Sequence, residues 1–179
     1  MKIIDEKNII FTTARLIVRK LIYKDSDSFF DMQSNPSVMK YVKKHMSKKE
    51  SDEELRRFID FYDDETQFFN IWAIIDNNQN RFLGICGVYL NNYMEYELAI
   101  RLREQYWGQG YGKEIARHLI SHCFTLIDNT TELVAYVDSR NSGSIKILEN
   151  QMQLIKEFYS NKTKTFEKLY RVKRDNESS

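Results

Sequence analysis

Three glycines at alternate positions mark the stretch of this 179-residue chain whose residue types most suggest chemistry. Gly108, Gly110 and Gly112 follow an apolar run at 98–102 and precede an amphipathic pattern, an order that predicts strand, loop and helix. Glycine lacks Cβ, so its backbone can approach a ligand closely. The first turn of a helix offers unpaired N–H groups and partial positive charge, which suits a phosphate or pyrophosphate. The spacing matches neither G-x-G-x-x-G nor the P-loop, so an ordinary surface turn stays open.

Two carboxylates stand just upstream of these glycines. Glu95 and Glu97 are two residues apart on a predicted strand, so their side chains share one face. A carboxylate there could accept a proton from an amine, which at neutral pH is mostly protonated and not nucleophilic. The alternative is a pair of solvated carboxylates on a half-exposed strand.

Other candidate residues give weaker signals. His118 and His122 are spaced to chelate a metal on a helix, but H-E-x-x-H is absent and no third ligand is nearby, so no metal site is expected. The acidic run at 60–65 is typical of a solvated helix end and could alternatively line a site for a cationic substrate. Trp107 could stack on a ligand or pack against Tyr106.

The elements that must position these residues follow from periodicity and punctuation. A first strand at 11–21 precedes a helix that Asp25 and Ser26 can cap and that ends before Pro36. Ser47 and Glu50 have the form of a capping box that opens a second helix. The rest of the chain predicts, in order, strands at 68–75, 81–90 and 93–102, the helix after the glycines, a strand at 132–137, a helix capped by Asn141 that Asn150 closes, and strands at 154–159 and 166–172. This order predicts a mixed α/β (α+β) single domain with about seven mostly antiparallel strands and about four helices.

Composition bounds the class of protein. Apolar residues are 42%, charged residues are 30% and the net charge is +1, which suits a globular chain and gives no bulk attraction to nucleic acid. No apolar run has the length of a membrane span, and the acidic N-terminus does not resemble a signal peptide, so a cytoplasmic location is expected. Cys86 and Cys123 lie in apolar patterns and are interpreted as buried small hydrophobes. Residues 175–179 are expected to form a loose tail to a domain spanning 1–179, with its core at about 13–173.

The stretch Trp107-Gly108-Gln109-Gly110-Tyr111-Gly112 resembles motif A of the GCN5-related N-acetyltransferases, [QR]-x-x-G-x-[GA]. Its Trp-Gly-x-Gly-Tyr form is similar to the RimJ/RimL-like branch, which includes ribosomal-protein N-acetyltransferases. The opening T-x-R-L at 13–16, N-P-x-V-M-x-Y at 35–41 and the motif B-like segment at 141–150 extend the likeness. The resemblance runs from about Thr13 to Val172, and the order of elements agrees with that family's fold.

The resemblance implies acetyl-CoA as co-substrate, with loop amides on its pyrophosphate and no metal. It implies Glu97 as general base, although Ala99 and Ile100 replace the usual glycine and aromatic residue. Many relatives place a tyrosine acid at the position of Leu148; leucine cannot donate a proton, so Ser144, or a water it holds, is the predicted replacement. The implied cofactor-binding residues are Ile100, Leu102, Gln105, Trp107, Gly108, Gln109, Gly110, Tyr111, Gly112, Lys113, Asn141 and Ser144.

The sequence therefore predicts an acetyl-CoA-dependent N-acetyltransferase acting on a primary amine, with a protein or peptide N-terminus as the leading acceptor. A small-molecule amine is the alternative acceptor. A non-catalytic acyl-CoA-binding module is the rival of another class, favoured by Leu148 and by the altered Ala99-Ile100. No membrane or nucleic-acid partner is expected, and the chain is expected to be a monomer or a homodimer.

Overall fold

A twisted eight-stranded sheet forms the middle of the computed structural model, which describes residues 6–174. The predicted tail at 175–179 lies outside the described residues. The strand order is β1-β2-β3-β4-β5-β6-β8-β7, and every neighbouring pair is antiparallel except β5 and β6. The strands are β1 Ile9–Thr12, β2 Leu16–Lys20, β3 Phe69–Asp76, β4 Phe82–Leu90, β5 Tyr96–Leu102, β6 Glu132–Asp138, β7 Gln153–Ser160 and β8 Thr165–Lys173.

Five α-helices cover the two faces of this sheet. They are α1 Ser26–Ser34, α2 Pro36–Met39, α3 Lys48–Asp60, α4 Tyr111–Leu126 and α5 Ser142–Leu148. The capping box predicted at Ser47 and Glu50 is confirmed, since each side chain accepts from the other residue's backbone N–H. None of the helices in residues 6–174 is long and apolar enough to cross a membrane.

The predicted mixed fold is confirmed, with one strand and one helix more than the sequence indicated. The predicted strand at 11–21 is a hairpin, β1 and β2, whose turn is closed by a bond from Thr13 N to Leu16 O of 2.8 Å. The extra helix is α2. Pro36 begins it rather than only ending α1, because proline at the first helical position loses no hydrogen bond and Asn35 caps the turn.

Two predicted helix caps are wrong, although α1 begins at Ser26 as predicted. Ser26 is the first helical residue, and its hydroxyl donates to Asp52 at 2.6 Å instead of capping the helix. Asp25 does not cap α1 with its side chain; its carboxylate instead pairs with Arg19, at 2.7 and 2.8 Å. Asn150 does not close α5 in a left-handed conformation. Its side chain donates to the carbonyl of Lys146, and α5 already ends at Leu148.

Apolar side chains form a core on each face of the sheet. Leu98, Ile100 and Leu102 of β5 join the core under α4, which also contains Cys86 and Cys123, so the interpretation of both cysteines as buried is confirmed. Burial raises the pKa of the Cys123 thiol to about 12. Because side chains alternate along a strand, Glu97, Ala99 and Arg101 face the opposite core, under α1 and α3.

The sheet is nearly divided at its one parallel junction. Strands β5 and β6 share a single register pair, Glu97 with Val134, whereas the antiparallel pairs on either side, β4–β5 and β6–β8, each extend over seven. Beyond Glu97 the two strands diverge. The edge of β5 over 98–102 therefore has no strand partner on that side, and a wedge opens between the two halves of the sheet.

Candidate active site

The wedge between β5 and β6 opens into a cavity of about 840 Å³. Leu98, Ala99 and Ile100 of β5 form one wall, and Ala135, Tyr136 and Val137 of β6 form the other. The end walls come from both sides of the sheet: Tyr89 on one side, and Ala116, Ile120 and Ile147 of α4 and α5 on the other. The lining combines apolar side chains with polar and charged ones, and a cavity of this size is typical of a small-molecule or cofactor site.

Glu97 lies on this cavity at the point where the strands part. Its carboxylate accepts a hydrogen bond from Asn91 Nδ2 at 3.1 Å and another from Tyr89, the residue opposite it on β4. Burial raises the pKa of Glu97, and the bonds from Tyr89 and Asn91 only partly offset that effect. A carboxylate whose pKa is raised is a stronger base at neutral pH, as general base catalysis requires.

Glu95 is placed differently, although both carboxylates lie within reach of Asn91 Nδ2, at 3.4 and 3.1 Å. Its carboxylate accepts from the Tyr136 hydroxyl at 2.6 Å and lies 3.8 Å from the guanidinium of Arg171. Glu95 does not line the cavity. The structure therefore distinguishes the two residues, which sequence spacing alone did not: both carboxylates have hydrogen-bond partners, but only Glu97 lines the cavity.

Helix α5 brings three predicted residues to the same cavity. Asn141 Oδ1 accepts from the backbone of Ser144 at 3.1 Å, which confirms the predicted cap. Asn141, Ser144 and Leu148 all line the cavity. Within residues 6–174 the Ser144 hydroxyl has no hydrogen-bond partner, so it is free to bond a ligand or a water.

The glycine loop opens α4 in a left-handed conformation. Gly108 and Gly110 have φ of 73° and 83°, values that favour glycine. Among residues 6–174, no group accepts a hydrogen bond from the backbone N–H groups of residues 108–113. Six adjacent free donors at the start of a sixteen-residue helix form the arrangement that binds a phosphate or pyrophosphate.

Comparison with known proteins relates the chain to acetyltransferases. A family model for the acetyltransferase (GNAT) domain matches residues 15–151, well over half of the chain. The chain belongs to the GNAT acetyltransferase family. An uncharacterized N-acetyltransferase p20 of Bacillus licheniformis is 29% identical over 77% of this chain and 78% of its own.

Solved structures with the same fold include other GNAT acetyltransferases. One from Bacillus anthracis has a TM-score of 0.78 at 17% identity and covers 90% of this chain and 96% of its own. RimL, a ribosomal L7/L12 alpha-N-protein acetyltransferase solved with coenzyme A, has a TM-score of 0.77 at 15% identity, covering 93% and 98%.

Contacts from the β1–β2 turn hold the glycine loop of this GNAT acetyltransferase in place. Glu114, in the first turn of α4, accepts from Thr13 Oγ1 at 2.5 Å and from Arg15 Nε at 2.6 Å. Burial would raise the pKa of Glu114, but these hydrogen bonds prevail and lower it. Arg15 also donates to the carbonyl of Gln109 at 3.1 Å and lies over the ring of Tyr111 at 4.4 Å. Sequence reasoning missed this role, and the only available signal was the T-x-R-L segment.

Gly112 has a packing role that the sequence did not indicate. A Cβ built on it would lie 2.4 Å from Ile147 Cδ1, so its small size lets α4 and α5 approach each other beside the cavity. This close contact exists whether or not the Gly112 amide also binds a ligand.

Replacing Gly112 with alanine is expected to lower the free energy of unfolding by about 1–3 kcal/mol, the usual cost of an overpacked contact. Ile147→Val removes the Cδ1 atom at 2.4 Å, so the double variant is expected to recover part of the loss. Urea unfolding of both single variants and the double variant measures this coupling. Strictly additive losses would contradict the packing role.

The remaining predicted residues lie at or near the loop. Ile100 lines the cavity, whereas Leu102 is buried and its carbonyl accepts from Trp107 Nε1 at 2.9 Å. Trp107 is 46% exposed, which suits neither complete packing nor an enclosed stack. Gln105 is exposed and its carbonyl accepts from Gln109 Nε2; Lys113 is exposed on the first turn of α4.

Two other predicted features lie away from the cavity. His118 Nδ1 is 2.9 Å from the carbonyl of Glu114, and the ring of His122 packs against Phe11 and Trp72. Residues 6–174 contain no group of three or more side chains suited to a metal. The acidic run at 60–65 does not line the cavity, so it offers nothing to a cationic substrate there.

Proposed function

We propose that this GNAT acetyltransferase moves the acetyl group of acetyl-CoA to a primary amine, with the N-terminal amine of a protein or peptide as the leading acceptor. The observation that carries the proposal is the position of Glu97: a carboxylate with a raised pKa at the apex of the wedge, in a fold whose glycine loop has six free amides. The coenzyme A complex of RimL, which shares the fold, supports coenzyme A as the ligand.

The proposed reaction is direct transfer in a ternary complex. Glu97 accepts a proton from the ammonium group, directly or through one water, and the neutral amine nitrogen attacks the thioester carbon. A main-chain N–H on the open edge of β5, within 98–102, stabilises the negative charge that develops on the carbonyl oxygen. The carbon–sulfur bond then breaks, the thiolate leaves, and the second proton of the nitrogen passes to the departing sulfur or to water. The leaving thiol has a pKa of about 8.5, so its thiolate needs little help from an acid at neutral pH.

Residues of the loop and of α5 would hold acetyl-CoA in this arrangement. In the proposed complex the free amides of 108–113 would bond its pyrophosphate. Asn141 and Ser144, which line the cavity, would contact its pantetheine arm and lie near its thioester sulfur. The acceptor class rests on the RimJ/RimL-like features of the sequence and on the name of RimL, which acts on ribosomal L7/L12.

A thiol-release assay tests the proposal. The enzyme is given acetyl-CoA and, in separate reactions, peptides with free N-termini, the same peptides with blocked N-termini, polyamines and aminoglycosides. Thiol release that requires the free N-terminus would support a peptide acceptor. Thiol release only with polyamines or aminoglycosides would show that the acceptor is a small-molecule amine. Binding of acetyl-CoA without release in any reaction would leave the non-catalytic module, which Leu148 favours.

Replacing Ser144 with alanine is expected to lower kcat by at most about tenfold, the value of one hydrogen bond. A serine hydroxyl does not titrate in the working range. The pH profile of kcat is therefore expected to show no falling limb near pH 8–10 of the kind that a titrating tyrosine acid would give. A loss beyond a thousandfold with acetyl-CoA binding intact would show that Ser144 is an essential proton donor.

A further inference from the structure

Arg101 presents a guanidinium to the cavity without an anionic partner. It lies on β5 four residues beyond Glu97, on the same face of the strand, and it lines the cavity. Its only hydrogen bond runs from Nη1 to Gln33 Oε1, and its Nε atom is enclosed without a partner among residues 6–174. No carboxylate of the described residues lies within ion-pair distance of it. One of five donor protons is therefore used.

A buried network fixes the position of this guanidinium. Gln33 is fully buried, and its amide nitrogen donates to Glu54, so its oxygen is turned toward Arg101. Glu54 is in turn paired with Lys43 at 2.5 Å and with Arg57 at 3.3 Å. Its negative charge is thus shared by two other cations and does not neutralise Arg101.

A largely buried cation without an anion is unfavourable, because buried charges are normally paired. Burial lowers the pKa of Arg101, and the nearby Glu54 and Tyr89 offset this only in part. An anion that entered the cavity and accepted hydrogen bonds from the free Nη protons would relieve this cost. A carboxylate suits a guanidinium best, since the two groups bond in a planar, bidentate way.

The rest of the cavity carries charges of both signs. Asp138, which pairs with Arg140, and Glu167 line it, but cations outnumber carboxylates in the lining. Lys40 and Lys162 also line it, and neither forms an ion pair with any residue in 6–174.

Between Glu97 and Arg101 lies Ala99, whose methyl group leaves the floor open. At about 3.3 Å per strand residue, the Cα atoms of Glu97 and Arg101 are about 13 Å apart. An extended peptide whose amine lies at Glu97 covers about 7–10 Å of this distance with its first two or three residues, and an acidic side chain spans the remainder.

We propose that the acceptor carries a carboxylate that binds Arg101 when its amine lies at Glu97. Within the proposed function, on which this inference rests, the acceptor is then a peptide with aspartate or glutamate at its second or third position. Glu97 receives the ammonium end, and Arg101 receives the acidic side chain.

The test compares peptides that differ only in Asp against Asn at the second or third position. The wild-type enzyme is expected to favour the acidic peptide in kcat/KM by about 10- to 100-fold, as for a charge-assisted hydrogen bond, mainly through KM. Arg101→Gln is expected to bring this ratio close to one, and Arg101→Lys to keep an intermediate ratio because it retains charge without the planar fork. Free aspartate and its amide derivative, assayed alongside, distinguish a peptide from a single amino acid as the source of the carboxylate.

Arg103→Gln is the matched control. Arg103 lies two residues further along, pairs with Asp31 at 2.8 Å and does not line the cavity, so its loss is expected to leave the ratio unchanged. Equal use of both peptides by the wild type, or a preference that survives in folded Arg101→Gln, overturns the inference while N-acetylation stands. If no acceptor is turned over, the proposed function fails instead. Calorimetry then measures the dissociation constants of the two peptides. The inference predicts tighter binding of the acidic peptide to the wild type and nearly equal binding of both peptides to Arg101→Gln.

Discussion

Replacing Glu97 with glutamine is expected to lower kcat by about 10²–10⁴-fold, the usual contribution of a general base, with acetyl-CoA affinity nearly unchanged. Glutamine keeps the size of the side chain and can still bond Asn91 and Tyr89, but it cannot accept a proton from the amine. Steady-state kinetics gives the loss in kcat, and calorimetry with acetyl-CoA shows whether binding is intact.

The pH dependence separates a base from a merely structural carboxylate. Glu97 can act as a base only when it is deprotonated. Burial raises its pKa, so it loses its proton at a higher pH than an ordinary carboxyl group does. The wild-type kcat/KM is therefore expected to rise with pH through this raised pKa, and the limb is expected to vanish in Glu97→Gln. The deficit of the variant should shrink at higher pH, because more of the amine is then already neutral.

Glu95→Gln is the matched control for this prediction. Glu95 is held by Tyr136 and Arg171 and lies off the cavity, so its replacement is expected to change kcat by less than about tenfold. A wild-type kcat in Glu97→Gln, or a larger loss in Glu95→Gln, would move the base away from Glu97.

Placing a negative charge on the glycine loop is expected to weaken acetyl-CoA binding by about 10- to 100-fold. The comparison is Gly108→Asp against Gly108→Asn, because both side chains tolerate the left-handed φ of 73° and a Cβ there meets nothing within 4 Å. The two variants therefore differ in charge rather than in shape. A charge about 5 Å from a phosphate, at an effective dielectric constant near 20, is worth about 3 kcal/mol before screening by salt.

Calorimetry with acetyl-CoA at two salt concentrations measures this difference. The gap between the two variants is expected to narrow at high salt, because mobile ions screen an exposed charge. Equal affinities in both variants would mean that the free amides of residues 108–113 do not face a phosphate, and the loop would then be an ordinary turn.

Local signals predicted most of the fold. Alternating and helical periodicities located the meander β3–β5 and helix α4, and the capping residues Ser47 and Asn141 begin the helices they were predicted to begin. Local signals failed where a side chain had a competing partner elsewhere in the fold. Asp25 fits a helix cap in sequence, but Arg19, on the preceding strand, takes its carboxylate.

The candidate site was predictable where a motif carried it and not where distant segments meet. Glu97, Asn141 and Ser144 lie on one cavity, as the motifs implied. The bond between Arg15 and Glu114 joins residues 99 apart, and the one between Arg101 and Gln33 joins residues 68 apart. No periodicity relates such pairs, because only the packing of the β1–β2 hairpin and of α1 against the rest of the fold brings them together.

The single register pair between β5 and β6 also has a dynamic consequence. Elsewhere in the described sheet neighbouring strands pair over three or more residues, so each half, β1–β5 and β6–β8, is internally cross-linked. Side-chain packing under α4 holds the two halves to each other. Separating the halves breaks few backbone hydrogen bonds, which makes this junction the low-cost place for sub-global opening. A ligand seated in the wedge bridges both halves, so its binding free energy adds to their cohesion. We therefore expect hydrogen exchange at the β5–β6 junction to be faster in the empty protein than in the protein with ligand bound.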